Sequence, residues 1–118
     1  VHPSKRKGDS AELEVQGLLR ENLGVPARRA LGAGRKDDVG DITGVPDTTI
    51  SVAAWSDLDR CIRQKLPDLE RQMENAASAH GAMFCRRRGG RYVVVMTPEM
   101  WYALIREALD LKPAETPE

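Results

Sequence analysis

Aromatic side chains are scarce in this sequence, with Phe, Tyr and Trp together making up 4% of the chain. A reader of single-stranded nucleic acid usually interleaves several aromatic platforms with its basic residues. Trp55 and Trp101 are therefore expected as packing or interface anchors rather than stacking surfaces. Cysteine is also rare: Cys61 and Cys85 are the only two in the chain. They lack CxxC spacing, and neither His2 nor His80 joins them in a ligand pattern, which argues against a zinc site and for two buried thiols. Charge of one sign is not in excess either, since 18 Lys and Arg balance 18 Asp and Glu. Without a global basic field, any contact with nucleic acid has to be local. No apolar run approaches the roughly 18–20 residues of a membrane span, so no membrane partner is expected. The basic N-terminus leads into no apolar segment, so no signal peptide is expected and an intracellular protein is.

A chain of 118 residues suits one domain that buries roughly two-thirds of its unfolded surface. The expectation is a single domain over 1–118, with a basic N-terminal tail at 1–8 and a Pro- and Glu-rich C-terminal tail at 112–118, both held by neighbours in a larger assembly. Asp9 or Ser10 can cap a first helix whose stripe is Ala11, Val15, Leu18, Leu19 and Leu23, ending at Gly24 and Pro26. A short strand is expected around Arg28 to Leu31, followed by an extended Gly-, Arg- and Asp-rich loop. Asp41 to Thr43 and Thr48 to Ala54 read as a hairpin around a Gly44–Asp47 turn.

Ser56 or Asp57 can cap the next helix, which Pro67 is expected to kink or break before it resumes to about Ala79. Ala82 to Arg86 and Tyr92 to Met96 form a second strand pair around Gly89 and Gly90. Thr97 is an N-cap with Pro98 behind it, opening a last helix whose apolar face is Met100, Leu104 and Ala108. The element order is αβββαββα, an α/β fold with a mixed central sheet flanked by helices.

Basic residues cluster locally at Lys5, Arg6 and Lys7, at Arg28 and Arg29, at Arg35 and Lys36, and at Arg86, Arg87, Arg88 and Arg91. These are candidates for a phosphate-binding face, with solvated loops as the alternative. Asp37 and Asp38 could ligate a cation, although aspartates beside glycine more often form turns. Trp101 and Tyr102 on the last helix would suit a protein partner if exposed.

The order of Lys7-Gly8, Glu12 on a helix, an Arg- and Gly-rich loop, Gly40-Asp41-Ile42 and then a β-branched strand resembles archaeal-type Holliday junction resolvases of the PD-(D/E)XK nuclease superfamily and related phage proteins. The likeness covers most of the chain and implies a restriction-endonuclease-like fold. In that family a helix Glu, a strand Asp and an E-x-K pair surround one or two Mg²⁺ ions that activate water and polarise the phosphate. Glu12 matches the helix position and Asp41 the strand position. Ser51 stands where the glutamate belongs and Ala53 where the lysine belongs, with both side chains on one face of the strand. Glu12 and Asp41 would be the metal ligands if a metal binds. Lys65, Glu70 or Gln72 on the following helix could replace what is missing, with a solvated helix face as the alternative.

The reading drawn from this resemblance is an inactive nuclease-like fold with no cofactor, used as a structural or DNA-adjacent part of a tailed bacteriophage. A homo-oligomer with other virion proteins, for example at the head-to-tail connector, is the implied setting, in the virion or the host cytoplasm. The alternatives are an active Mg²⁺-dependent resolvase or endonuclease and a non-cleaving DNA-binding module.

Overall fold

A computed structural model describes residues 3–30 and 38–112, with side chains from Arg6 onward. Lys5 as a side chain, Leu31, Arg35, Lys36 and Asp37, and residues 1–2 and 113–118 of the two predicted tails lie outside the described residues; the rest of the predicted N-terminal tail, from Pro3 to Gly8, is helical instead. The fold is α/β: a five-stranded mixed sheet carries three helices, in the predicted order αβββαββα.

Helix α1 spans Pro3–Leu23 and buries Ala11, Val15 and Leu19, a spacing that keeps one face on the sheet. It starts well before the expected cap at Asp9 or Ser10. Of the predicted stripe, Leu18 and Leu23 are exposed. The helix stops where Gly24 takes a left-handed φ of 65°. Strand β1, Arg28–Arg29, pairs antiparallel with β2, Ile42–Thr43, and β2 pairs antiparallel with β3, Thr48–Ala53. The predicted hairpin is therefore present, with Asp47 left-handed in its turn.

Helix α2 runs unbroken from Leu58 to Ala76, although Pro67 sits inside it. The Asp57 carboxylate caps it by accepting the Arg60 amide at 3.0 Å. Pro67 and Arg63 are both exposed, so the Arg63 carbonyl that loses its helical donor can turn to water instead of ending the helix. The strand that follows, β4, runs from His80 to Arg86 and pairs in parallel with β3, from Thr48 opposite His80 to Ala53 opposite Cys85. Arg88–Gly90 forms a tight 3₁₀ turn, and β5, Tyr92–Val95, returns antiparallel to β4. Thr97 caps α3, Pro98–Ala108, by accepting the Met100 amide at 3.2 Å. Only Met100 of its predicted apolar face is buried, while Leu104 and Ala108 are exposed.

The core has two halves, one on each side of the sheet. On one side Ala11, Val15 and Leu19 of α1 cover Ile42, Ile50, Val52 and Ala82. On the other, Cys61 and Leu69 of α2 and Met100 of α3 cover Ala53, Met83 and Cys85. Successive strand residues point to opposite faces, and β3, buried on both from Thr49 to Ala53, is the central wall. Both cysteines are free and buried, as expected. Burial pushes the Cys85 thiol up to about 11, reinforced by the adjacent Cys61.

Candidate functional site

Glu12 and Asp41 meet in a cleft of about 530 Å³ at the end of β3, lined also by Lys7, Ala53, Trp55 and Lys65. Asp41 is fixed by the backbone on both sides. Its amide donates to the Ile50 carbonyl and its carbonyl accepts the Ala30 amide, each at 2.8 Å. Its carboxylate accepts the Val52 amide, also at 2.8 Å. Gly40 makes this approach possible: it is buried with φ 99°, and a Cβ there would come within 2.8 Å of the Ile50 carbonyl oxygen. Glycine alone adopts that conformation without strain.

Glu12 is held differently. The Arg29 guanidinium donates to Glu12 at 3.1 Å and to Asp9 at 2.7 Å, and the Arg29 amide donates to the Gln16 side chain. Burial raises the Glu12 carboxyl above the ordinary range, nearby Asp41 adds to the rise, and Arg29 opposes it. Arg29 is thus an internal counter-ion to a carboxylate cluster, while Arg28 on the same strand is exposed.

Both positions of the implied E-x-K pair are buried in β3, and of the two only Ala53 lines the cleft. Ser51 is 1% exposed and its hydroxyl has no hydrogen-bond partner among the described residues. Ala53 is 3% exposed and packs with Cys61 and Met83. The donors therefore do not fit the Mg²⁺ site that the resemblance implies. One carboxylate is tied to a guanidinium, the third anionic position holds a buried neutral hydroxyl, and no group of three or more His, Cys, Asp or Glu suited to a metal occurs among the described residues.

Lys65 does reach the cleft, donating from Nζ to the Val52 carbonyl at 3.2 Å. The other two helix candidates do not. Glu70 lines a separate groove between α2 and α3, and Gln72 donates to Asp38 at 2.8 Å. Asp38 in turn accepts the Gly40 amide at 3.0 Å, which is turn chemistry rather than ligation, and Asn75 donates to its carbonyl.

A second cleft continues the first, sharing Lys7, Ala54, Trp55 and Ser56 and adding Arg86, Arg87 and Arg88. Arg86 is engaged with Glu14 at 2.6 Å. Arg87 and Arg88 are exposed and make no ion pair among the described residues. Arg6 lies exposed on α1. Sequence reasoning singled out neither Arg60 nor Trp55 for this rim, because their place depends on how the chain leaves β3, and periodicity does not report that. Trp101 and Tyr102 are both about half exposed and stack edge to face with ring centres 6.0 Å apart.

Comparison with protein-family models, curated proteins and solved structures finds no match. No described helix is long and apolar enough to cross a membrane.

Proposed function

We propose that this protein is a nuclease-like fold that does not cleave, and that it holds a nucleic-acid backbone along the cationic rim of its cleft. The carrying observation is the burial of β3 at both positions of the implied pair. Ser51 and Ala53 are buried where hydrolysis would need a carboxylate and a lysine, and Glu12 is tied to Arg29, which it shares with Asp9. A hydrolytic metal centre needs anionic ligands to hold the ion and an open position for water. Lys7, Arg60, Lys65, Arg87 and Arg88 surround the cleft and supply the opposite requirement, positive charge for phosphates. The resolvase-like pattern of the sequence supports the wider setting, a structural or DNA-adjacent component of a tailed bacteriophage particle.

The test combines cleavage and binding. Four-way-junction and linear duplex DNA stay intact with Mg²⁺ or Mn²⁺, while binding weakens steeply with salt. Each lost phosphate contact reduces the logarithmic salt slope by about 0.9 for duplex DNA, so Arg87→Glu/Arg88→Glu lowers it by about 2. A slope unchanged by this pair removes the rim from the reading. A second reading has one specific observation in its favour, the arrival of Lys65 in the cleft that holds Asp41. Mg²⁺-dependent cleavage that disappears in both Asp41→Ala and Lys65→Ala would establish an active nuclease with a relocated lysine.

A further inference from the structure

The formal net charge of zero conceals two separated poles. Arg86 ends β4 and leads into the Arg87–Arg91 turn, whereas His80 begins the same strand at the opposite end of the sheet. Six residue steps at about 3.3 Å place these ends roughly 20 Å apart. At the His80 end, α2 and α3 enclose a groove of about 430 Å³. Its apolar lining is Met73, Met100, Ala77 and Ala79, and its rim carries Glu70, Glu74 and Glu99. All three glutamates are exposed, and none makes an ion pair among the described residues. Asp47 lies beside the groove, accepting the Ala79 amide at 2.8 Å.

The opposite pole has the complementary shape and chemistry. Gly89 and Gly90 adopt φ of 79° and 75°, and nothing lies within 4 Å of a Cβ built at either, so the turn stands clear of the body. Arg87, Arg88 and Arg91 are exposed around it. An arginine presents three methylenes and a planar cation. The methylenes can lie on a methionine floor that adapts its shape, and the guanidinium can pair bidentately with a carboxylate at the rim.

We propose that the groove between α2 and α3 receives the arginine turn of a second copy, in a head-to-tail contact. The contact joins two different surfaces, so each copy has one turn and one groove to offer, and association continues into a ring or a chain rather than stopping at a dimer. The proposal does not rest on the nucleic-acid reading, but it shares Arg87 and Arg88 with it, so bound DNA competes with self-association.

The experiment is sedimentation velocity of the full chain in low-salt buffer over a range of concentrations. Wild type gains mass with concentration, and about 0.5 M salt, where the screening length is only a few ångströms, returns it to monomer. Glu74→Arg/Glu99→Arg and Arg87→Glu/Arg88→Glu each stay monomeric alone, because groove and turn then carry like charge. Mixing the two restores association, since the intact turn of the first variant meets the intact groove of the second. All four positions are exposed, and unchanged thermal unfolding of each variant checks that it is folded. The groove variant keeps the DNA affinity and salt slope of wild type while the turn variant binds DNA more weakly with a lower slope, which separates this contact from the nucleic-acid reading. A wild type that stays monomeric throughout, or two variants that do not complement on mixing, overturns the proposal.

Discussion

Ser51 offers a direct test of whether β3 is closed behind the cleft. Its hydroxyl is 1% exposed with no partner among the described residues, and an unpaired buried polar group costs about 1–3 kcal/mol. Ser51→Ala removes that cost. It leaves a void smaller than a water molecule, worth less than about 0.5 kcal/mol at about 24 cal/mol per Å³. The expected net effect is a gain of about 1 kcal/mol, or a Tm higher by about 4 °C for a domain of this size. Chemical denaturation gives the free energy, and the unchanged m-value shows that neither end state has altered. The companion Ser51→Glu forces a carboxylate into the same strand and should lose about 3 kcal/mol or more. If Ser51→Ala is destabilising by 1 kcal/mol, or Ser51→Glu is tolerated at less than that, the position is open to water or a ligand and the non-cleaving reading loses its basis.

Three further outcomes follow from the geometry. Gly44 has φ 98°, and a Cβ there would collide with the Pro26 carbonyl oxygen, so Gly44→Ala should lose about 2–4 kcal/mol in equilibrium unfolding. Arg29→Ala removes the guanidinium that offsets the burial of Glu12, so the Glu12 carboxyl should move further upward in an NMR titration, with a loss of about 1–2 kcal/mol at neutral pH. A carboxyl raised in the folded state stabilises while protonated, so that variant weakens as pH rises through the Glu12 titration. The Cys85 thiol is raised from 9.0 to about 11 in the folded state. The native state therefore holds the proton more tightly, and stability is lost as pH rises from about 9 to 11, by on the order of 3 kcal/mol. Denaturation midpoints across this window should flatten in Cys85→Ala.

The sequence carried most of the fold because its local signals agree with its tertiary ones. The Gly44–Asp47 turn between β-branched runs, the Thr97-Pro98 cap and the apolar spacing of Ala11, Val15 and Leu19 each fix an element without reference to distant residues. It misled where two local rules competed with position. Asp9 and Ser10 are good caps, but they lie inside α1, where Asp9 serves Arg29 instead. Pro67 breaks helices in general, but on an exposed face it does not end α2. In the site, Glu12 and Asp41 were legible as a pair, and the structure brings them to one cleft. The engagement of Glu12 by Arg29, the reach of Lys65 to Val52 and the exposure of Trp55 depend on side-chain paths between elements, which no spacing rule encodes.

The arginine turn and the start of β4 sit at the two ends of one hydrogen-bonded strand, itself zipped to β3 on one side and β5 on the other. That strand acts as a strut. It keeps the two docking faces at a constant distance and rotation, so every junction in an assembly would repeat the same screw operation. The pitch of that operation, set inside a single subunit, would decide whether successive copies close on themselves or wind into a filament.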